Sequence, residues 1–258
     1  MKVVLFCGGR GMRMREFSGS IPKPMVPVGP RPVMWHLMRY YAHFGHTDFV
    51  LALGYQGDVI KRYFLDYEEW RSNDFVLRNG KLELLATDLD DWTITFVDTG
   101  LDANIGERLL AVREHLDGEE MFCANYADGL SDAPLDVMID RLTTSDAAGI
   151  FLCVPPSQSF HVVTLDERDR AVELRPAAEA GILVNGGYFV FRREIWNHLR
   201  PGEELVLEPF RRLMAQRRLL AHRHDGFWMG MDTFKDRQAL DELHQAGNPP
   251  WAVWERSR

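Results

Sequence analysis

Cysteine is scarce in this chain. Its 258 residues include three, Cys7, Cys123 and Cys153, too few and too widely spaced for a disulfide framework or a zinc knuckle. Each follows or sits within an apolar, strand-like run, so buried free thiols are expected, the state that a reducing compartment maintains. Long apolar runs are missing too. No segment approaches the roughly eighteen apolar residues of a membrane span. The N-terminal stretch Val3-Val4-Leu5-Phe6 runs straight into glycines and is too short for the core of a signal peptide. A cytoplasmic protein without membrane attachment is therefore expected. Positive charge is in deficit: 30 basic against 38 acidic side chains give −8 at pH 7, a balance that repels nucleic-acid backbones. No Gly-x-Ser-x-Gly elbow is present to carry a serine nucleophile. The 9 histidines show no ligand spacing; His222 and His224 share a strand face, but no third ligand accompanies them. Internal repeats and low-complexity tracts are absent.

What the chain does have is concentrated at its start. The opening apolar run is β-branched at first, and breaks into Cys7-Gly8-Gly9-Arg10-Gly11-Met12-Arg13, with Lys23 following between Pro22 and Pro24. Such a run reads as a buried strand that ends in a loop. Glycines at 8, 9 and 11 allow a tight turn and bring bare N–H groups close to an anion. Arg13 can pair two phosphate oxygens through its planar fork, while Lys23 adds a compact charge on a stretch stiffened by prolines. Six basic side chains against one acidic fall within residues 1–31 of this acidic chain. A local cationic patch of that kind suits a small polyphosphate. The loop is not a P-loop, which needs Gly-Lys followed by Ser or Thr, nor the dinucleotide fingerprint, whose third glycine is replaced by Met14.

Strand-like runs alternate with helical periodicity through the first half, the pattern of βαβ units and of an α/β fold with a mainly parallel sheet. Helices are expected over 32–44, 57–64, 106–115, 135–142, 207–216 and 233–245. Strands are expected over 48–53, 93–97, 121–124, 149–154, 161–165, 172–174, 184–191 and 219–223. Asn79-Gly80 signals a hairpin inside a charged, aromatic insertion over 66–92. The aromatic stretch 63–75 and the tail carrying Trp251 and Trp254 suggest self-association.

Two carboxylates stand out. Asp128 follows an apolar run in Asn125-Tyr126-Ala127-Asp128-Gly129, where ligands of open α/β sheets bind. Asp232 precedes the closing helix. Brought together they would make an open oxygen site for Mg²⁺, which takes one or two carboxylates and leaves its other positions to water and phosphate. From spacing alone, helix N-capping explains Asp232 equally well. Asp132 reads as a turn or cap residue or as a further metal ligand.

With Gly8, Gly9, Gly11, Arg13 and Lys23-Pro24-Met25 in place, the chain resembles the sugar-phosphate nucleotidyltransferases, and within them the glucose-1-phosphate cytidylyltransferase branch. Pro32-Val33-Met34-Trp35-His36, Gly54-Tyr55-Gln56-Gly57, Val97-Asp98-Thr99-Gly100 and Tyr126-Ala127-Asp128-Gly129-Leu130-Ser131-Asp132 match that branch. So do Asn185-Gly186-Gly187-Tyr188-Phe189, Glu208-Pro209, His224-Asp225-Gly226-Phe227-Trp228 and Met231-Asp232-Thr233. The likeness runs from residue 2 to about 254.

The resemblance implies a Rossmann-like nucleotidyltransferase fold, a mixed, mainly parallel sheet flanked by helices. It implies one domain over 1–258, nucleotide-binding in its N-terminal half and facing the sugar phosphate over about 150–235. Arg13 and Lys23 would be catalytic and hold the triphosphate, with Gly8, Gly9 and Gly11 against the nucleotide. Tyr126, Arg175, Asn185 and Gly186 would meet the sugar phosphate, and Asp128 and Asp232 would bind Mg²⁺. The implied reaction joins a sugar 1-phosphate to the α-phosphorus of CTP and releases pyrophosphate.

The chain departs from the family at several positions. Met12 replaces a threonine, Arg175 a lysine that grips the sugar-linked phosphate, His161 a glycine near the substrate, and Ala127 a glycine before the metal aspartate. Three readings follow: cytidylyl transfer to glucose 1-phosphate, the same chemistry with another sugar or cyclitol phosphate or another nucleotide, and a binding module that has lost activity.

Overall fold

The computed structural model describes residues 1–9, 21–71, 73–89, 91–157 and 160–255. Gly11, Met12, Arg13 and Ser159 lie outside them. Val3–Phe6 forms β1, buried along its whole length, as a strand covered on both faces must be. Side chains alternate across it: Val3 and Leu5 enter one apolar core, Val4 and Phe6 the other.

Two short strands, Pro27–Val28 (β2) and Arg31–Pro32 (β3), pair with each other and lead into α1, Val33–His43. Then come β4 (Asp48–Leu53) and α2 (Gly57–Leu65), followed by a hairpin of β5 (Phe75–Arg78) and β6 (Lys81–Leu84) turning at Asn79-Gly80. Both turn residues have positive φ, as a two-residue hairpin loop of this kind requires. The chain continues through β7 (Thr93–Asp98), α3 (Ile105–Ala111), β8 (Met121–Asn125), β9 (Gly129–Ser131), α4 (Leu135–Thr143) and β10 (Gly149–Val154). A second hairpin joins β11 (His161–Leu165) to β12 (Ala171–Pro176). The last elements are β13 (Val184–Arg192), α5 (Glu208–Ala215), β14 (Leu219–Arg223), β15 (Trp228–Gly230) and α6 (Phe234–Gln245).

Among the described residues the main sheet has seven strands in the order β14-β10-β13-β8-β1-β4-β7. All neighbours run parallel except where β13 pairs antiparallel with β10 and β8. Residues of α1, α2, α4 and α6 fill the core on one face, and those of α3 and α5 fill it on the other. The structure bears out the mixed, mainly parallel sheet flanked by helices.

Two expectations change. The helix over 106–115 is α-helical only through Ala111, where it tightens into a 3₁₀ turn over Arg113–Leu116, a common way to satisfy the last carbonyls. The strand expected over 184–191 is β13, one residue longer and inside the main sheet between β10 and β8. The Trp251 ring cannot serve self-association, because it is 1% exposed and packs edge-on against His36 and near Phe227 of its own chain.

Candidate active site

The site lies beyond the carboxyl ends of β1 and β8, adjacent parallel strands. After β1 the Cys7 N–H donates to the Ala52 carbonyl (2.9 Å), and Gly8 accepts from Tyr55 N–H (3.2 Å), so the glycine turn is fastened to the end of β4. Burial pushes the Cys7 thiol up, which keeps it protonated and inert.

Lys23 opens a 3₁₀ turn, Lys23–Met25, whose Pro24 and Met25 are buried. The anchored turn aims the lysine stem inward. Asp128 follows Ala127, a non-glycine residue at φ 64°, a left-handed conformation that a side chain adopts at some cost. That kink turns the chain from β8 into β9. Asp232 sits between β15 and α6. Met231 N–H donates to the Asp128 carbonyl at 2.8 Å, so the two aspartate segments are tied backbone to backbone. Helix capping is performed by Thr233, not Asp232: Thr233 Oγ1 accepts from Asp236 N–H and Asp236 returns the bond.

Lys23 Nζ donates to Asp128 Oδ2 at 2.7 Å and to Asp232 Oδ1 at 2.8 Å. The three side chains are 14%, 31% and 33% exposed. Burial works against the lysine charge, but the pull of the two carboxylates prevails and holds it above the ordinary lysine value. Burial, with Lys23 opposing it, raises the Asp128 carboxyl above the usual aspartate value. The ammonium is a stand-in cation that reports two carboxylates converging on one point. An all-oxygen pair of that kind fits Mg²⁺, which asks for one or two carboxylates and keeps room for phosphate and water. No group of three or more His, Cys, Asp or Glu side chains with metal-binding geometry occurs among the described residues.

On the β13 side, Asn185 is held at both ends of its amide: Nδ2 donates to Tyr126 Oη (3.1 Å) and Oδ1 accepts from Gly187 N–H (2.9 Å). Burial raises the Tyr126 phenol, so it stays protonated. Gly186 follows in the same strand. Arg175 stands apart on β12, opposite Val162, with its exposed guanidinium 3.3 Å from Glu173. His161 is exposed on β11 opposite Pro176. Asp132 accepts from Phe227 N–H (2.8 Å) and lies 2.8 Å from His224 Nε2.

One residue at the site escaped the sequence reading. Arg108, on α3, is 2% exposed; its Nη1 donates to Leu53 O, Thr99 Oγ1 and Gly100 O, and its Nη2 to Gly8 O and Leu101 O. It ties together the loops that leave β1, β4 and β7. Burial draws its charged form down, yet the carbonyl cage keeps all these donors paired. In the sequence Arg108 looks like any solvent-facing helix arginine.

A family model described as "Nucleotidyl transferase" matches residues 2–237. The chain belongs to the nucleotidyl transferase family. It is 34% identical to the probable glucose-1-phosphate cytidylyltransferase of Bacillus subtilis, over 98% of this chain and 100% of that protein. It is 33% identical to the glucose-1-phosphate cytidylyltransferase of Salmonella typhimurium, over 99% and 100%. Among solved structures, UTP-bound UGPase from Acinetobacter baumannii superposes with a TM-score of 0.71 at 18% identity, over 99% of this chain and 97% of that one. That likeness shows the fold, a Rossmann-like nucleotidyltransferase fold. No helix among this transferase's described residues is long and apolar enough to cross a membrane.

Proposed function

We propose that this nucleotidyl transferase moves a nucleotidyl group from a nucleoside triphosphate, CTP first among them, to a sugar 1-phosphate, glucose 1-phosphate first among those. The observation that carries the reading is Lys23 held between Asp128 and Asp232, at the carboxyl end of the β1–β8 pair from which the Gly8-Gly9 turn also leaves. The similarity to two glucose-1-phosphate cytidylyltransferases over nearly the full chain supports the choice of substrates.

Chemically, the acceptor phosphate oxygen bonds to the α-phosphorus as the bond to the β-phosphate oxygen breaks, and pyrophosphate leaves. A phosphate monoester with a second pKa of about 6 is mostly dianionic at pH 7, so no general base is required. The protein has to align two mutually repelling anions and neutralise charge as it shifts. Lys23 supplies a positive charge at the polyphosphate, together with Arg13 from outside the described residues. Gly8, Gly9 and Gly11 allow backbone N–H groups close to the phosphates, and Arg108 fixes the Gly8 carbonyl from behind. Asp128 and Asp232 would hold Mg²⁺, which when bound neutralises phosphate charge. Tyr126, Asn185 and Gly186 face the acceptor, and Arg175 would have to leave Glu173 to join them from the β11–β12 hairpin. Three buried free cysteines fit a reducing, cytoplasmic setting, and the exposed Trp70 and Phe75 fit self-association.

The test is pyrophosphate release with Mg²⁺ across a panel of nucleotides and sugar phosphates. Release confined to CTP and glucose 1-phosphate supports the reading, and silence throughout sinks it. A second reading, a different acceptor, is favoured by His161 and by Arg175 already paired with Glu173. For it, release with another sugar phosphate is the decisive result, and H161G should move acceptor preference more than CTP affinity.

A further inference from the structure

Three glycines surround one indole. A Cβ built on Gly186 would lie 3.2 Å from Trp228 Nε1, one on Gly129 would lie 3.6 Å from the same atom, and one on Gly230 would lie 3.4 Å from Trp228 Cη2. The slot these residues leave is filled by the ring, which Nε1–H pins to the Gly186 carbonyl at 2.8 Å. The same Gly230 position is 3.9 Å from Asp232 Oδ2. The ring therefore spans the distance between the carboxylate site and the Asn185-Gly186 strand.

Its frame is rigid. Trp228 pairs with Ser131 in the β9–β15 ladder. The preceding residue, Phe227, is fixed by its N–H to Asp132 Oδ1 and by its carbonyl, which accepts from Ser131 Oγ (2.8 Å) and Asp132 N–H (3.2 Å). Only part of the side chain is used up in this packing, because Trp228 is half-buried at the edge of the core. An aromatic face kept flat, immobile and partly open is what a ligand contact needs.

Sheet order decides which ligand. The glycine turn leaves β1 and is fastened toward β4, whereas Trp228 abuts Gly186 of β13, across β8 from β1. On the nucleotidyl-transfer reading the nucleotide takes the first side, beside the glycine turn, which leaves the indole to the second. We infer that Trp228 is a specificity-determining residue whose indole face stacks on the sugar ring of the acceptor, an inference that rests on the nucleotidyl-transfer reading above. A pyranose turns C–H groups outward on its faces, and their slight positive charge complements the negative face of an aromatic ring. In an α-glucopyranosyl 1-phosphate the axial phosphate occupies one face, and only the other is lined by C–H groups alone. The axial O4 of galactose places oxygen on that second face.

The experiment uses the whole chain with Mg²⁺ and measures KM for nucleotide and acceptor separately in W228L and W228F. Leucine fills the slot without offering a flat face, and phenylalanine keeps the face but loses the N–H. W228L should raise the acceptor KM about tenfold, the scale of one lost apolar contact, leave the nucleotide KM within about twofold, and narrow the preference for glucose over galactose 1-phosphate. W228F should stay within about threefold of the parent. An unmoved acceptor KM in W228L, or a nucleotide KM that rises in step, overturns the inference while leaving the reaction standing. A wild-type protein that releases no pyrophosphate with any pair overturns the reaction itself, and this inference with it. Should W228L fail to fold, the fluorescence difference between wild type and W228F is followed as acceptor is added with α,β-methylene-CTP. A change supports stacking, and a flat response refutes it.

Discussion

The Arg108 guanidinium donates to the Gly8 carbonyl at 3.1 Å, and a Cβ added to Gly8 would stand 2.0 Å from Arg108 Nη1. The arginine and the missing side chain are therefore one feature. A buried cation braces the first glycine of the turn, and that glycine must be bare for the brace to fit.

G8A should displace Arg108 and cost about 1–3 kcal/mol, the range for overpacking a tight interior. R108K should cost about as much by another route, since a single ammonium cannot reach all the carbonyls that Arg108 serves and a buried acceptor left unpaired is expensive. Urea unfolding of both variants checks this. Stabilities within a few tenths of the parent's would show the brace to be dispensable.

K23A should lower kcat by on the order of 10²-fold, as for the loss of one preorganised charge or donor. The same substitution should tighten Mn²⁺ binding in the absence of nucleotide, because the ammonium now held at 2.7 and 2.8 Å would no longer compete for Asp128 and Asp232. Calorimetric titration reads the second effect independently of turnover. D128N should abolish Mn²⁺ binding and activity alike with little loss of folding stability, since burial already penalises the ionised carboxyl there.

Alongside His46, which burial also draws down to about 4, His36 contributes to the acid sensitivity of the fold. Its Nε2 bonds to the Val28 carbonyl (2.9 Å) and its Nδ1 accepts from Trp251 Nε1 (3.3 Å), and burial draws its pKa from 6.5 down to about 4. The unfolded chain then binds more protons than the folded one between those values, so stability falls as pH drops through that window. The loss should reach about 3 kcal/mol by pH 4. Chemical denaturation at a series of pH values in wild type and H36Q tests it, the variant showing the shallower decline.

W251A should cost about 3–5 kcal/mol, the scale for emptying a buried aromatic site, because the ring is 1% exposed. The sedimentation behaviour of whatever remains folded should match that of the parent.

Much of this architecture was legible from sequence where apolar runs had sharp ends. β4, β10, β11 and β14 begin and end at the expected residues, because turn or polar residues bound each run. The β9–β15 ladder was not legible: three residues a side carry no periodicity, and pairing between distant segments leaves no local trace. Asp232 was ambiguous for a related reason. A helix-start aspartate looks like a cap until the capping box of Thr233 and Asp236 is seen. Gly8, Gly9, Lys23, Asp128 and Asp232 are legible in the sequence, but only the fold puts Lys23 between the carboxylates. Arg108 had no sequence signal, since four of its five partners are backbone carbonyls, which every sequence has, and the fifth is the Thr99 hydroxyl.

The bond from Met231 N–H to the Asp128 carbonyl fixes the spacing of the two aspartates through backbone geometry rather than through the length of chain between them. Between them in the chain, β10, β13 and β14 belong to the main sheet, whereas the β11–β12 hairpin forms a two-stranded sheet of its own. His161 and Arg175 sit on that hairpin, so a change at either leaves the register of the two aspartates untouched. A lineage with this architecture can explore new acceptors without reinventing its reaction.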